Sequence, residues 1–299
     1  MTDGVLLIDK GEGMTSFDVV GKIRRLYGTK QVGHTGTLDP MATGLLTVLV
    51  GRAVKASEYL TEHDKSYRAT LKLGLTTDTE DVTGKVLTEC DSIPDAVAVK
   101  KVCESFVGSI KQIPPMYSAL KRDGKKLCDL AREGIEIERE AREITVYSLT
   151  CTETDKKDEY ILEVACSKGT YIRTLCADIG KALGCGGVMA ALRRTSVGDF
   201  SLDRAVTLNE LENMTESERE VLLHDTETLF YEHKKVVLPD FFARLSNSGC
   251  EIYLKKLSLD LDVGERVRLY DKNGFFSLGE VREFENGKAI KPIKKFRID

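Results

Sequence analysis

The sequence is informative first for what it lacks. Its 299 residues contain no tryptophan and only six prolines, and the longest apolar run covers residues 45–50, with Thr47 inside it. A membrane-spanning helix requires about 20 consecutive apolar residues. The first residues also lack the basic start and the long apolar stretch of a secretory signal. We therefore expect a cytoplasmic protein with no membrane partner.

Metal and cofactor motifs are absent as well. The eight cysteines form no CxxC pair, and there are only four histidines. Structural zinc sites need closely spaced thiolate or imidazole ligands. The nucleotide-binding loop GxxxxGK followed by Ser or Thr does not occur. The sequence therefore predicts reduced thiols and no metal, and it argues against an NTPase.

The net charge of −4 argues at first against a nucleic-acid partner. Its distribution is uneven, however, because residues 210–232 hold eight acidic side chains and one arginine. Basic side chains cluster in two other places, which are Lys121, Arg122, Lys125 and Lys126, and then Lys288, Lys291, Lys294, Lys295 and Arg297. A phosphate backbone responds to local patches more than to total charge. The clusters favour RNA binding modestly, since most charge runs are solvated surface.

Hydrophobic periodicity predicts a mixed α+β architecture for most of the chain. Strands are predicted at residues 5–9, 45–50, 66–73, 144–151 and 160–166. Ser16 is predicted to cap a helix that carries Phe17, Val20, Ile23 and Leu26 on its buried face. Residues 97–110 and the segment after Thr170 are predicted to be helical. Residues 1–235 are thus expected to form one domain with a large sheet.

The composition changes near Val236. Short alternating strands follow, and the pairs Asn273-Gly274 and Asn286-Gly287 each lie between apolar runs. Asn-Gly between such runs is a strong hairpin signal. Residues 236–299 are therefore predicted to form a separate small β-rich domain.

The stretch GHTGTLDPMATGLL, residues 33–46, raises the question of what Asp39 does. One interpretation is structural, because Asp followed by Pro is a good helix start, with Asp as N-cap and Pro at the first helical position. The strand predicted at residues 45–50 weakens this interpretation, since no helix then follows directly. The other interpretation is that Asp39 is a reactive carboxylate in a glycine-rich loop.

A possible cationic partner lies in CSKGTYIRTL, residues 166–175. Arg173 is predicted in the first turn of the helix that follows Gly169, where a cation opposes the helix dipole at a cost of about 0.3–1 kcal/mol. This cost suggests a nearby anion, which both the guanidinium and the free N–H groups would bind. The alternative is that Arg173 points into water.

Five stretches together resemble one family, the TruB tRNA pseudouridine synthases. They are GHTGTLDPMATGLL, KSYRATLKLGLTTDTEDVTG, IPPMYSALKRDGKKL, CSKGTYIRTL and LRRTSVG. They occur in the family's order over most of residues 4–200, and the C-terminal piece resembles the small PUA RNA-binding domain. Two positions depart from the family pattern, with Gly11 where proline is usual and Cys128 where an aromatic is usual.

The resemblance implies a largely antiparallel catalytic sheet of the pseudouridine-synthase type and a PUA-like C-terminal domain. It implies isomerisation of the T-arm uridine at tRNA position 55 to pseudouridine, by a monomer and with no cofactor or metal. By position, Asp39 would be the catalytic aspartate, paired with Arg173. The substrate-binding residues would be His34 near the flipped nucleotide, Tyr67 stacked on the uracil, and Tyr171 and Leu192 lining the pocket.

Each role has a structural alternative on local pattern alone. Tyr67 and Leu192 could be ordinary core residues, Tyr171 ordinary packing at a helix start, and His34 a residue that ties the loop together. Two other functions also stay open. The protein could be an RNA-binding protein with an inactive pocket, or a phosphoaspartate hydrolase, suggested by TGTL. The second would need its aspartate where this chain has Gly33.

Overall fold

The structure is a computed structural model that describes residues 3–60, 63–118, 120–122 and 124–297. In chain order, the helices are α1 (Ser16–Leu26), α2 (Ser57–Leu60), α3 (Ala96–Glu104), α4 (Leu127–Arg132), α5 (Ile172–Ala182), α6 (Leu208–Asn213), α7 (Glu216–Val221), α8 (Asp240–Asn247) and α9 (Leu254–Leu257). Three further segments are 3-10 helices, which are Gly51–Ala56, Leu202–Arg204 and Thr226–Phe230.

The strands of the first two hundred or so residues are β1 (Gly4–Lys10), β2 (Val32–Thr35), β3 (Thr43–Val50), β4 (Lys65–Leu73), β5 (Leu75–Thr77), β6 (Val86–Glu89), β7 (Gly108–Gln112), β8 (Lys121–Arg122), β9 (Lys125–Lys126), β10 (Arg142–Glu153), β11 (Glu159–Cys166), β12 (Gly187–Val197), β13 (Phe200–Ser201) and β14 (Val206–Thr207). The remaining strands are β15 (Lys234–Val237), β16 (Ile252–Tyr253), β17 (Arg266–Asp271), β18 (Gly274–Phe284) and β19 (Gly287–Lys295).

A ten-stranded sheet dominates the first part of the chain. Its order is β14-β1-β3-β12-β4-β11-β10-β7, with β2 added beside β3 and β13 beside β12. Its neighbours are antiparallel except for the parallel pairs β1–β14 and β3–β12. This confirms the expected α+β fold with a mixed, largely antiparallel sheet.

Burial on both faces explains the continuous apolar run of β3. Leu45 and Leu49 belong to one core cluster, whereas Leu46, Val48 and Val50 belong to another on the α1 side. Successive side chains of a strand point to opposite faces, so a strand covered on both sides is apolar throughout. The strand prediction for residues 45–50 is confirmed.

Two helix predictions were partly wrong. Thr15, and not Ser16, caps α1, because its side chain accepts from the Asp18 N–H while the Asp18 carboxylate accepts from the Thr15 N–H. Phe17 is 70% exposed, since the buried face is formed by residues such as Val19 and Ile23.

The helix predicted at residues 97–110 ends early. It stops at Glu104, and the chain then enters β7 at Gly108. Gly108 has φ of +110°, a conformation that a glycine adopts without the steric penalty of a side chain. The last apolar residue of the predicted helix, Ile110, therefore lies in β7, an edge strand of the large sheet.

The C-terminal strands form a second sheet of five strands in the order β15-β17-β18-β19-β16. Asn273 and Asn286 lie in the turns β17–β18 and β18–β19, so both predicted hairpins are confirmed. The β-rich character of this region is likewise confirmed.

The two sheets share a hydrophobic core. Phe230 is fully buried, and its ring lies within 5.3–6.1 Å of the rings of Tyr59, Phe275 and Phe296. Phe296 belongs to the same cluster as Leu7 of the large sheet. The C-terminal sheet is therefore packed against the larger one through aromatic side chains. The division at residues 235 and 236 stays a prediction.

Candidate active site

Asp39 lies in the loop between β2 and β3. The Ala42 N–H donates to the Asp39 carbonyl at 3.0 Å, which closes a four-residue turn with Pro40 at its second position. Pro is favoured there because its ring fixes φ near the value that the turn needs. The chain then enters β3 at Thr43, so Asp39 caps no helix. The helix-start interpretation of Asp39 is wrong.

Buried polar side chains hold the loop from below. The Ser16 hydroxyl donates to the Leu38 carbonyl at 3.2 Å and accepts from the Leu38 N–H at 3.0 Å. Lys10, which has no exposed surface, donates from Nζ to the carbonyls of Met14 at 2.7 Å and Pro40 at 3.3 Å. The backbone on both sides of Asp39 is thus fixed, while its own side chain stays 38% exposed.

Arg173 contacts Asp39 directly. Its Nε lies 3.0 Å from Asp39 Oδ2, and only 8% of its side chain is exposed. Its Nη2 donates to the Tyr117 carbonyl at 2.7 Å, and its Nη1 donates to the Thr79 carbonyl at 3.2 Å. Because three segments fix the guanidinium, it orients the carboxylate rather than following it. The alternative that Arg173 points into water is wrong.

A second carboxylate, which sequence reasoning missed, lies beside the same guanidinium. Asp81 is 5% exposed, and its Oδ2 lies 3.9 Å from Arg173 Nη1. Its Oδ1 accepts from the Thr83 N–H at 2.9 Å and from the hydroxyls of Thr79 and Thr83. The signal was present in TTDTEDVTG, because Thr residues at short spacing from an Asp satisfy a carboxylate locally.

Tyr67 is 9% exposed in β4, and it lies opposite Arg194 of β12 in the register of the sheet. Burial raises the pKa of the Tyr67 hydroxyl, and the Arg194 charge opposes that rise. Met41, the third residue of the Asp39 turn, packs against the cluster that contains Tyr67. The tyrosine and the Asp39 loop therefore belong to one region of the molecule.

Tyr171 immediately precedes α5 and is its N-cap residue, although its side chain caps no N–H. The Gln112 side chain instead holds the Tyr171 backbone. The Gln112 Oε1 accepts from the Tyr171 N–H at 2.8 Å, and the Gln112 Nε2 donates to the Tyr171 carbonyl at 3.0 Å. Gln112 is 2% exposed. Sequence reasoning missed Gln112 as well, and no local pattern identifies it.

His34 and Leu192 make no described hydrogen bond or ion pair with Asp39. His34 lies in β2, and its ring is 5.6 Å from the ring of Phe17 in an edge-on arrangement. Leu192 is a half-buried residue of β12 that packs against both large core clusters. Its carbonyl accepts from the Thr43 hydroxyl at 3.3 Å, next to the end of the Asp39 loop. Their predicted roles stay predictions.

The half-buried His34 gives a testable pH dependence of stability. Burial, and then the nearby Arg194 charge, lowers the pKa of His34 below its ordinary value. As the pH falls below about 6.5, the unfolded chain therefore takes up the proton first, and the free energy of unfolding decreases. We expect His34→Gln to lose less stability than wild type between pH 7 and pH 5.5, measured by urea unfolding. Equal slopes would contradict the burial of a neutral imidazole.

The basic cluster at the C-terminus is largely paired with acidic side chains. The ion pairs are Lys288–Asp262, Lys291–Glu251, Lys294–Glu58 and Arg297–Asp271. In the other cluster, Arg122 donates to the Glu138 carbonyl at 2.7 Å and lines a cavity of about 430 Å³ whose lining does not include Asp39. Counting cations in the sequence therefore overstates the charge that the C-terminal surface offers to a phosphate.

Two negative findings bear on the described part of the chain. Its ranges contain no group of three or more His, Cys, Asp or Glu side chains arranged to hold a metal ion. No helix within them is long and apolar enough to cross a membrane. What the site offers is an accessible carboxylate, a fixed guanidinium against it, and aromatic residues nearby.

Comparison with known structures supports the fold. A chain in the structure of an H/ACA RNP bound to a substrate RNA containing 2'-deoxyuridine superposes with a TM-score of 0.72 at 22% identity, covering 99% of this chain and 85% of that chain. A chain of a Cbf5-Nop10-Gar1 complex gives the same TM-score at 24% identity. At this level of identity the likeness shows a shared fold.

Sequence comparison shows the family. Residues 24–172 match the TruB family pseudouridylate synthase (N terminal domain), and residues 173–239 match the tRNA pseudouridylate synthase B C-terminal domain. A tRNA pseudouridine synthase B of Alkaliphilus oremlandii (strain OhILAs) is 44% identical over 98% of both chains. Another, of Dechloromonas aromatica (strain RCB), is 46% identical over 93% of this chain and 91% of the relative. The chain therefore belongs to the TruB family of pseudouridine synthases.

Proposed function

We propose that the protein converts the T-arm uridine at position 55 of tRNA to pseudouridine. The observation that carries the proposal is the Asp39–Arg173 pair. In a member of this family, an accessible carboxylate is held 3.0 Å from a buried guanidinium. Its relatives' name, tRNA pseudouridine synthase B, supports tRNA as the substrate.

The reaction breaks the C1′–N1 bond, turns the uracil and joins C1′ to C5. It gains and loses no atoms overall, so its balance needs no co-reactant. The Asp39 carboxylate can attack C1′, attack uracil C6, or remove a sugar proton to give a glycal. All three routes need an oriented carboxylate that a nucleoside can reach, and this is the arrangement that Arg173 supports.

The remaining site residues have complementary proposed roles. The Tyr67 ring stacks on the uracil, and such stacking contributes about 1–3 kcal/mol per base. Tyr171 and Leu192 line the pocket, and His34 lies near the flipped nucleotide. Gln112 fixes the Tyr171 backbone, and Asp81 balances the charge of Arg173 on the side away from Asp39.

RNA binding needs more surface than this pocket. The target base leaves its stack at a cost of a few kcal/mol, which contacts elsewhere must offset. We assign part of these contacts to residues 236–299 as a PUA-like domain. Since its basic cluster is largely ion-paired, uncharged and backbone groups must share the recognition. The proposed acting form is a monomer.

Tritium release tests the proposal. A tRNA transcript labelled at C5 of uridine should release one tritium per molecule, because the proton at C5 leaves when C5 bonds to C1′. Mapping of the product should place the single pseudouridine at position 55. A transcript with cytidine at that position is the matched control and should release no label. Tight binding without release would instead indicate an RNA-binding protein, and magnesium-dependent phosphate release would indicate a hydrolase.

A further inference from the structure

Arg194 is a buried arginine that holds both ends of the Asp39 loop. It is 1% exposed. Its Nη2 donates to the Gly36 carbonyl at 3.0 Å, before Asp39, and its Nε donates to the Leu45 carbonyl at 2.7 Å, after the loop. It is also the direct cross-strand neighbour of Tyr67. Such neighbours have Cβ atoms about 4.5–5.5 Å apart, and the Arg194 charge opposes the rise that burial causes in the pKa of the Tyr67 hydroxyl.

The charge of Arg194 has no carboxylate partner among the residues that the structure describes. Its hydrogen-bond acceptors are the carbonyls of Gly36 and Leu45. A buried cation without an anion is costly, and replacing such a group by an apolar residue of similar volume is often neutral or stabilising. A merely structural role in this core would therefore be filled better by an uncharged side chain.

The neighbouring charges increase the imbalance. Burial lowers the pKa of Lys10 and of Lys65. The Arg194 charge lowers both further, whereas Asp39 and Glu12 raise the pKa of Lys10 and Asp64 raises that of Lys65. The Lys65 side chain also approaches Gly36 from the same side as Arg194. The carboxylate of Asp39 is itself paired with Arg173. None of the three cations, Arg194, Lys10 and Lys65, forms a salt bridge with a carboxylate among the described residues, and each donates to backbone carbonyls instead.

We propose that Arg194 is a positioning residue whose unpaired charge is balanced by the negative charge that develops on the uracil. The inference rests on the proposed function. When the C1′–N1 bond breaks, its electron pair stays on the uracil, which becomes an anion. The charge disappears when C5 bonds to C1′. The C5 proton then passes to solvent and N1 takes up a proton, which gives neutral pseudouridine. Arg194 acts through Tyr67, whose ring stacks on the base, so it stabilises the separated base and not the bound uridine.

Substitution at Arg194 separates this role from ground-state binding. In single-turnover assays with saturating tRNA, Arg194→Met should lower the rate by about 30-fold with affinity unchanged within about threefold, and Arg194→Lys should restore much of the rate. The matched control is Arg193→Met, because Arg193 is the adjacent residue, 41% exposed and paired with Asp9 at 2.6 Å. We expect the control to change the rate by about twofold at most.

The rate defect of an Arg194 variant should depend on how stable the departing uracil anion is. A merely structural defect would lower the rate equally for every base. Fluorine at C5 makes the uracil anion more stable, so tRNA containing 5-fluorouridine needs less help from a cation. The defect of Arg194→Met, followed as loss of 5-fluorouridine from nucleoside digests, should shrink by about tenfold relative to uridine. If Arg194→Met does not fold, Arg194→Lys is compared on the two substrates and should show the same trend more weakly.

The outcomes are distinguishable. A wild-type protein that makes no pseudouridine would overturn the proposed function itself. If the wild type is active but the Arg194 variants lose affinity and not rate, only the role of Arg194 is overturned. Its charge would then bind a phosphate of the RNA. Equal defects on uridine and 5-fluorouridine, or equal losses in Arg194→Lys and Arg194→Met, also overturn it, because the residue would then act by shape alone.

Discussion

Asp39→Asn should abolish pseudouridine formation while tRNA affinity stays within about threefold of wild type. The amide keeps the size of the side chain but can neither attack carbon nor remove a proton, so we expect a rate loss of at least about 1,000-fold. Folding should be unaffected, because the Asp39 side chain is partly exposed and caps no helix. Single-turnover tritium release and filter binding measure the two quantities separately.

The chain offers a matched control for this substitution. Asp158 is similarly exposed, at 34% of its side chain, and is paired with Lys72 at 3.5 Å. Asp158→Asn should leave both rate and affinity unchanged. If Asp39→Asn retained more than about a tenth of the wild-type rate, the carboxylate would not be the reacting group. Loss of the folded state, seen by circular dichroism, would instead show that Asp39 is needed for the fold.

Arg173→Met should lower both stability and activity strongly. The substitution leaves the buried Asp81 carboxylate beside a neutral side chain, and breaking a buried pair on one side costs about 3–5 kcal/mol. It also releases Asp39 from its fixed orientation, so the rate for the folded fraction should fall by about 1,000-fold. Urea unfolding and single-turnover assays at low temperature measure the two effects.

A second substitution separates the stability effect from the catalytic effect. Adding Asp81→Asn to Arg173→Met removes the uncompensated carboxylate, so part of the lost stability should return while the rate stays low. Arg52→Met is the control. Arg52 is likewise paired with a carboxylate, that of Asp3 at 2.6 Å, and none of its described ion pairs or hydrogen bonds involves a site residue. Recovery of activity along with stability would mean that Arg173 matters only for folding.

Local patterns predicted the fold well wherever local rules decide the structure. Alternation in β4 and the two Asn-Gly hairpins depend on neighbouring residues, and the structure confirms both. Phe17 was placed wrongly because helical spacing alone does not say which apolar stripe faces the core. The helix predicted at residues 97–110 was too long because the apolar residues continue past Glu104, where the helix ends. The chain changes direction there and enters the next strand at Gly108, which has a positive φ.

The site was predictable in part for the same reason. The Asp39 loop and Arg173 stand out by composition and by helix position, and the structure brings them together. Asp81, Gln112 and Arg194 were missed because their importance comes from partners distant in sequence, namely Arg173, Tyr171 and Tyr67. A single sequence does not reveal such pairings, and the ion pairs of the C-terminal lysines were not predictable for the same reason.

The packing of Phe230 against both sheets has a consequence for substrate choice. Because separating the sheets would expose this ring to water, the distance from Asp39 to the C-terminal strands is set by the protein and does not adjust to the RNA. If those strands contact tRNA as proposed, the enzyme selects RNAs by the distance between the region that the strands contact and the target base. An RNA is a substrate when its folded shape spans that distance and places a uridine at Asp39.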